Sequence, residues 1–171
     1  MPVSRKTPGA LDYDIYPVHD LGDGTVSSDF SELAARIPER GTVIVDGYVG
    51  VRFDEFVSSL NEALSAVGKT ALWWSVDSAL KSPAEIDKMI EPFLGGDDPL
   101  FGYRASLELK DFFDGDKLAS IKADASAPLN IIYGIGASLA GWEGTLIYLD
   151  IPKNEIQFRS RAGSVRNLGA A

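Results

Sequence analysis

Residues 41–68 carry a buried-strand pattern, a glycine loop and a helix pattern in direct succession, and no other stretch restricts the fold as strongly. Thr42, Val43, Ile44 and Val45 run without polar alternation, as in a strand of a parallel sheet covered on both faces. Asp46 and Gly47 end that run. From Phe53 the apolar positions Phe53, Phe56, Val57, Leu60, Ala63, Leu64 and Val67 fall on one face of a helix with a period of about 3.6 residues. Gly68 stands where a helix C-terminal cap is expected. Gly47, Tyr48, Val49, Gly50, Val51 and Arg52 connect the two elements. They feed a helix N-terminus, where unpaired N–H groups and the helix dipole favour an anion.

This is the layout of a phosphate-binding loop with altered side chains. The active motif is G-x-x-x-x-G-K-[ST], in which Lys reaches the β/γ-phosphates and the hydroxyl holds Mg²⁺. With Gly47 as the first glycine, Arg52, Phe53 and Asp54 stand where Gly, Lys and Ser/Thr belong. Two readings of the loop stand: an anion cradle made of backbone, or a tight turn that uses glycine only for its backbone freedom.

Strand and helix patterns alternate along the chain, which predicts a parallel α/β sheet. Residues 1–24 read as an N-terminal arm, with an edge strand over residues 13–18 because Pro17 cannot donate to a ladder. A helix is predicted from Ser28 to Pro38 on the pattern Phe30, Leu33, Ala34 and Ile37. Residues 69–77, 129–134 and 145–150 read as further strands. Ser82, Pro83 and Glu85 predict a capping box, and the helix behind it should stop by Gly95 and Gly96. Residues 107–118 fit either a strand or a helix fragment. Residues 25–171 are expected to form one domain, a size at which about two-thirds of the unfolded surface is buried.

Several function classes are disfavoured by composition. The net charge of −9 opposes nucleic acid and anionic lipid. No apolar run approaches the roughly 18 residues of a membrane span, and the N-terminus carries no apolar segment of a secretory signal, so a cytoplasmic location is expected. There is no cysteine and one histidine, His19, which reads as a turn or surface residue. No metal site is therefore expected, and no G-x-S-x-G accompanies any serine.

The candidate site residues are carboxylates and arginines. Asp46 and Asp77 end predicted strands, at the sheet edge where α/β proteins bind ligands, and either could instead be a helix cap or a loop-closing acceptor. Asp97 and Asp98 fit Mg²⁺ with phosphate or a solvated turn. Arg159 and Arg161, if on a strand, would share a face and fork onto one phosphate; the alternative is surface ion pairing.

The segments V-I-V-D-G-Y-V-G-V, W-S-V-D-S, N-I-I-Y-G-I-G-A and L-I-Y-L-D-I-P, followed by arginines, resemble the strand ends of uridine-kinase-like P-loop proteins. That resemblance implies a base at Asp77 and phosphate ligands at Arg159, Arg161 and Arg166. The blocks P-F-L-G-G-D-D-P-L-F-G, L-A-G-W-E-G-T-L-I-Y-L-D-I-P-K-N-E-I-Q-F-R-S-R-A-G-S and N-L-G resemble the N-terminal region of bacterial class I mannose-6-phosphate isomerase-like proteins. In larger members of that group the region precedes a zinc-binding cupin barrel, which implies a cupin domain of the same or a neighbouring polypeptide as partner.

The expectation is a three-layer α/β domain with a parallel sheet, P-loop-kinase-like with a degenerate phosphate loop. It would bind a phosphorylated sugar or nucleotide through Gly47, Tyr48, Val49, Gly50, Arg52, Arg159, Arg161 and Arg166, without cofactor and without isomerase chemistry of its own. A small-molecule kinase is the alternative, using Mg²⁺ with nucleotide, Arg52 or Lys69 in place of the missing lysine, and Asp77 as base. A structural or dimerisation domain is the third.

Overall fold

The computed structural model describes Gly22, residues 26–98 and residues 101–169. The strand expected over residues 13–18 and His19 lie outside the described residues. Helix α1 (Phe30–Arg36) leads into β1 (Gly41–Gly47), and α2 (Phe53–Ala66) returns to β2 (Ala71–Ser75). Then come α3 (Pro83–Ile90), the short α4 (Gly115–Ser120), β3 (Leu129–Tyr133), β4 (Thr145–Leu149) and α5 (Lys153–Arg161).

The four strands form one parallel sheet in the order β2-β3-β1-β4. Because successive side chains in a strand point to opposite faces, β1 serves two cores. Val43 and Val45 pack with Ala34, Ile37, Leu60 and Leu64 under α1 and α2, while Ile44 joins Val76, Phe113, Leu118, Ile132 and Ala137 on the other face. The fold is therefore three-layered α/β, as the strand and helix alternation predicts. Each fully buried leucine, such as Leu60 or Leu64, contributes about 1.5–3 kcal/mol by leaving water.

The neighbouring Trp73 and Trp74 divide between the same two layers. Trp73 donates its indole N–H to Asn61 of α2, and Trp74 donates to Asn130 and meets Trp142 edge to face. Strand β4 closes the described sheet on one side, with Leu146 and Tyr148 exposed.

Local signals account for most boundaries. Asp29, one residue beyond Ser28, caps α1 by accepting from the Glu32 N–H at 2.9 Å. The capping box of Ser82 and Glu85 is present. Helix α3 ends at Ile90, before Gly95, because Pro92 has no N–H to continue the ladder and a 3-10 turn follows. Residues 107–118 resolve into a 3-10 turn (Leu109–Phe112) and α4, the latter capped by Asp114. Residues 155–161, weighed as a strand, are helical in α5. Pro152 stands at the helix start and Glu155 pairs with Arg159 one turn on. Among the described residues no helix is long and apolar enough to cross a membrane.

Candidate functional site

The connection from β1 to α2 is drawn tight by backbone contacts. A Cβ at Gly47 would stand 2.8 Å from the Leu149 carbonyl oxygen, so the chain can pass β4 only as glycine. Tyr48 N–H donates to that carbonyl at 3.1 Å, and Val51 N–H donates to the Tyr48 carbonyl at 3.2 Å. Gly50 turns the chain with φ of 95°, in the region that glycine favours. Helix α2 then begins, and the N–H groups of Phe53, Asp54 and Glu55 have no acceptor among the described residues.

Phe53 stands at the position of the catalytic lysine in the intact motif and packs on the core shared by α1 and α2, so this position brings no ammonium to the loop. Asp54 and Glu55 place carboxylates in the first turn, where they already offset the dipole. Arg52 pairs with Glu55 at 3.0 Å, a largely exposed contact one turn apart.

Beside this loop lies a cleft of about 600 Å³, bounded by Gly50, Arg52, Asp54, Glu55, Asp77, Ile135, Ser164, Val165 and Arg166. It unites four of the residues singled out from sequence: Gly50, Arg52, Asp77 and Arg166. Arg166 has no ion-pair or hydrogen-bond partner among the described residues, so its guanidinium is available to a ligand. Burial in the cleft raises the pKa of the Asp77 carboxyl above its usual value; a hydrogen bond from Ser75 opposes this and the nearby Asp54 charge adds to it. Asp77 nevertheless keeps an exposed surface, so its desolvation is partial.

The remaining candidates are elsewhere. Gly47 is buried beneath the loop and Val49 is half-buried outside the cleft. Tyr48 faces a separate depression with Ile151, Lys153 and Ile156. Arg159 and Arg161 do not share a face, since positions two apart on a helix diverge. Arg159 donates to the Gly50 carbonyl and to Glu155, each at 2.8 Å, and borders a second cleft of about 470 Å³ on the other side of the loop. Arg161 is exposed and borders neither cleft.

Lys69 cannot replace the missing lysine. Its ammonium caps α1 on the carbonyls of Ala34, Ala35 and Ile37. Asp46 is a closing acceptor: it is buried and takes the N–H groups of Gly47, Gly136 and Ser138 together with the Ser138 hydroxyl. Asp98 accepts the Phe101 N–H at 3.1 Å. Sequence reasoning missed Glu55 and Ser164. The spacing of three between Arg52 and Glu55 on a helix was the available signal for the first.

The family described as Domain of unknown function (DUF8485) matches residues 29–171. The chain belongs to that family. No match to a curated protein was found. A solved structure from Silicibacter sp. TM1040, of a protein provisionally assigned as a fructose transport system kinase, is similar at a TM-score of 0.53 and 17% identity. The match covers 81% of this chain and 83% of that one. At that identity the likeness concerns the fold alone: this chain has a kinase-like α/β fold with a parallel sheet. Among the described residues no three His, Cys, Asp or Glu side chains are grouped to hold a metal ion.

Proposed function

We propose that this domain binds a phosphorylated small molecule, a sugar phosphate or a nucleotide, in the cleft between the β1–α2 loop and the segment after α5, and that it does not transfer phosphoryl groups. The presence of Arg52 and Arg166 in the lining of one cleft with the start of α2, whose first N–H groups are unpaired among the described residues, supports this reading. The ligand phosphate is met by the two guanidinium groups, which must outweigh Asp54, Glu55 and Asp77. Phosphoryl transfer depends on positioned cations around the transferring group, and Phe53 removes the principal one.

An accessory role beside a cupin isomerase is supported by the resemblance of residues 92–102 and 139–164 to mannose-6-phosphate isomerase-like proteins. A kinase is the second reading. Asp77, with its raised pKa, shares the cleft with Asp54, and the kinase-like solved structure supports the same class. Under that reading Asp77 is the base, and Asp54 beside it in the cleft is the carboxylate that would be left to hold Mg²⁺ with the nucleotide.

Calorimetric titration with pyrophosphate, mannose 6-phosphate and ADP tests the binding. Saturable binding is expected, weakened about tenfold or more by Arg52→Ala and by Arg166→Ala, the usual loss with a charge-assisted hydrogen bond. Binding that ignores both substitutions overturns the assignment. ATP turnover abolished by Asp77→Asn would establish the kinase reading in its place.

A further inference from the structure

Arg159 stays out of the anion cleft yet touches both of its walls. Its Nη1 donates to the Gly50 carbonyl at 2.8 Å, and its Nε is held at 2.8 Å by Glu155, with the side chain only 20% exposed. Its own backbone carbonyl accepts from the Ser164 N–H at 3.0 Å and from the Ser164 hydroxyl at 3.1 Å. Gly50 belongs to the loop wall of the cleft, and Ser164, Val165 and Arg166 form the opposite wall.

We infer that Arg159 is the positioning residue of this cleft, setting the distance between the loop and Arg166 without touching the ligand. The inference rests on the anion-binding reading above. Gly50 is the turning point of the loop, and its carbonyl has no other partner among the described residues. A glycine at positive φ has low intrinsic preference for one conformation, so the guanidinium fork fixes where the adjoining Arg52 begins. The main-chain carbonyl of the same residue holds the turn that brings Arg166 to the rim, so the guanidinium is the link between that turn and the loop. Lysine offers a single ammonium where the fork serves two acceptors in one plane, so it is no substitute here.

Two measurements on the full chain test this. In hydrogen exchange without ligand, Arg159→Ala should accelerate exchange in residues 48–52, while residues 163–167, held by the main-chain carbonyl at position 159, and β1 and β3 keep their protection. Loss of protection throughout would mean general destabilisation and overturn the inference, as would unchanged exchange in residues 48–52. In pyrophosphate titrations, Arg159→Ala and Arg159→Lys should each raise Kd by about tenfold, as for a lost charge-assisted hydrogen bond. The double variant Arg159→Ala/Arg166→Ala should lose less than the sum of the single losses, because the first change already frees the loop wall from the turn that carries Arg166. Additive losses, or an unchanged Kd in both Arg159 variants, would overturn the inference. If the wild-type chain ignores pyrophosphate, the anion-binding reading fails, and the exchange experiment still decides whether Arg159 joins the two walls.

Discussion

Asp46, the penultimate residue of β1, and Asp77, two residues beyond β2, both stand at the carboxyl edge of the parallel sheet, and they have opposite fates. Asp46 is 7% exposed, and its two oxygens accept from three backbone N–H groups and a serine hydroxyl. It ties β1 to the Gly-rich segment after β3. Asp77 faces a cleft, shares it with a second carboxylate, and gains a raised pKa from partial burial. What separates a fastening group from one open to the cleft here is saturation of the acceptor. A carboxylate whose lone pairs are already taken by N–H donors has nothing left to offer a ligand.

The sharpest way to break this contrast is to remove the saturated group. Asp46→Ala should cost about 3–5 kcal/mol in urea unfolding, because several buried donors lose their acceptor at once. Asp46→Asn keeps one acceptor oxygen and should cost about 1–2 kcal/mol. Equal, negligible losses in both would show that Asp46 fastens nothing.

A smaller effect is expected at Lys69, which is saturated in the complementary sense, as a donor to α1 carbonyls. Lys69→Met should lower stability by about 1–2 kcal/mol and leave pyrophosphate affinity unchanged. A change in affinity would return Lys69 to the site.

Asp77→Asn should alter stability least, within about 0.5 kcal/mol at neutral pH. Its signature is the pH profile. Because the folded carboxyl holds its proton to a higher pH than the unfolded value near 3.8, the folded state binds more protons in that window. The wild type should therefore lose stability relative to Asp77→Asn as pH rises from 3.8 through the raised folded pKa. Parallel profiles for the two proteins would remove the environmental distinction between Asp77 and an ordinary surface acid.

How far the sequence discloses these features depends on whether the partner is near in the chain and made of side chains. Strand β1, helix α2 and the capping box at Ser82 are local patterns, and each stands where its pattern predicts. Helix α5 carries no buried residue and hence no apolar stripe to betray it; the pair of Glu155 and Arg159 on its surface is its clearest local support. Asp77 is legible as the end of a predicted strand at the sheet edge, Arg52 as part of the loop, and Arg166 only through the uridine-kinase-like resemblance; that the three line one cleft is what the structure adds. The roles of Arg159 and Lys69 did not follow from any pattern. Each bonds backbone carbonyls, which every residue possesses, at separations of 109 residues for Arg159 and 32 to 35 for Lys69. Composition and spacing carry no mark of such an acceptor.

The adjacent pair Trp73 and Trp74 gives the molecule built-in optical reporters for each side of its sheet. One indole is hydrogen-bonded toward α2 and the other sits edge to face with Trp142 in the opposite layer. Replacing Trp73 with Phe leaves emission that originates wholly beneath the far face, and replacing Trp74 and Trp142 leaves a single fluorophore against α2. Two such variants, melted side by side, distinguish a sheet that sheds its layers in turn from one that loses both in a single step.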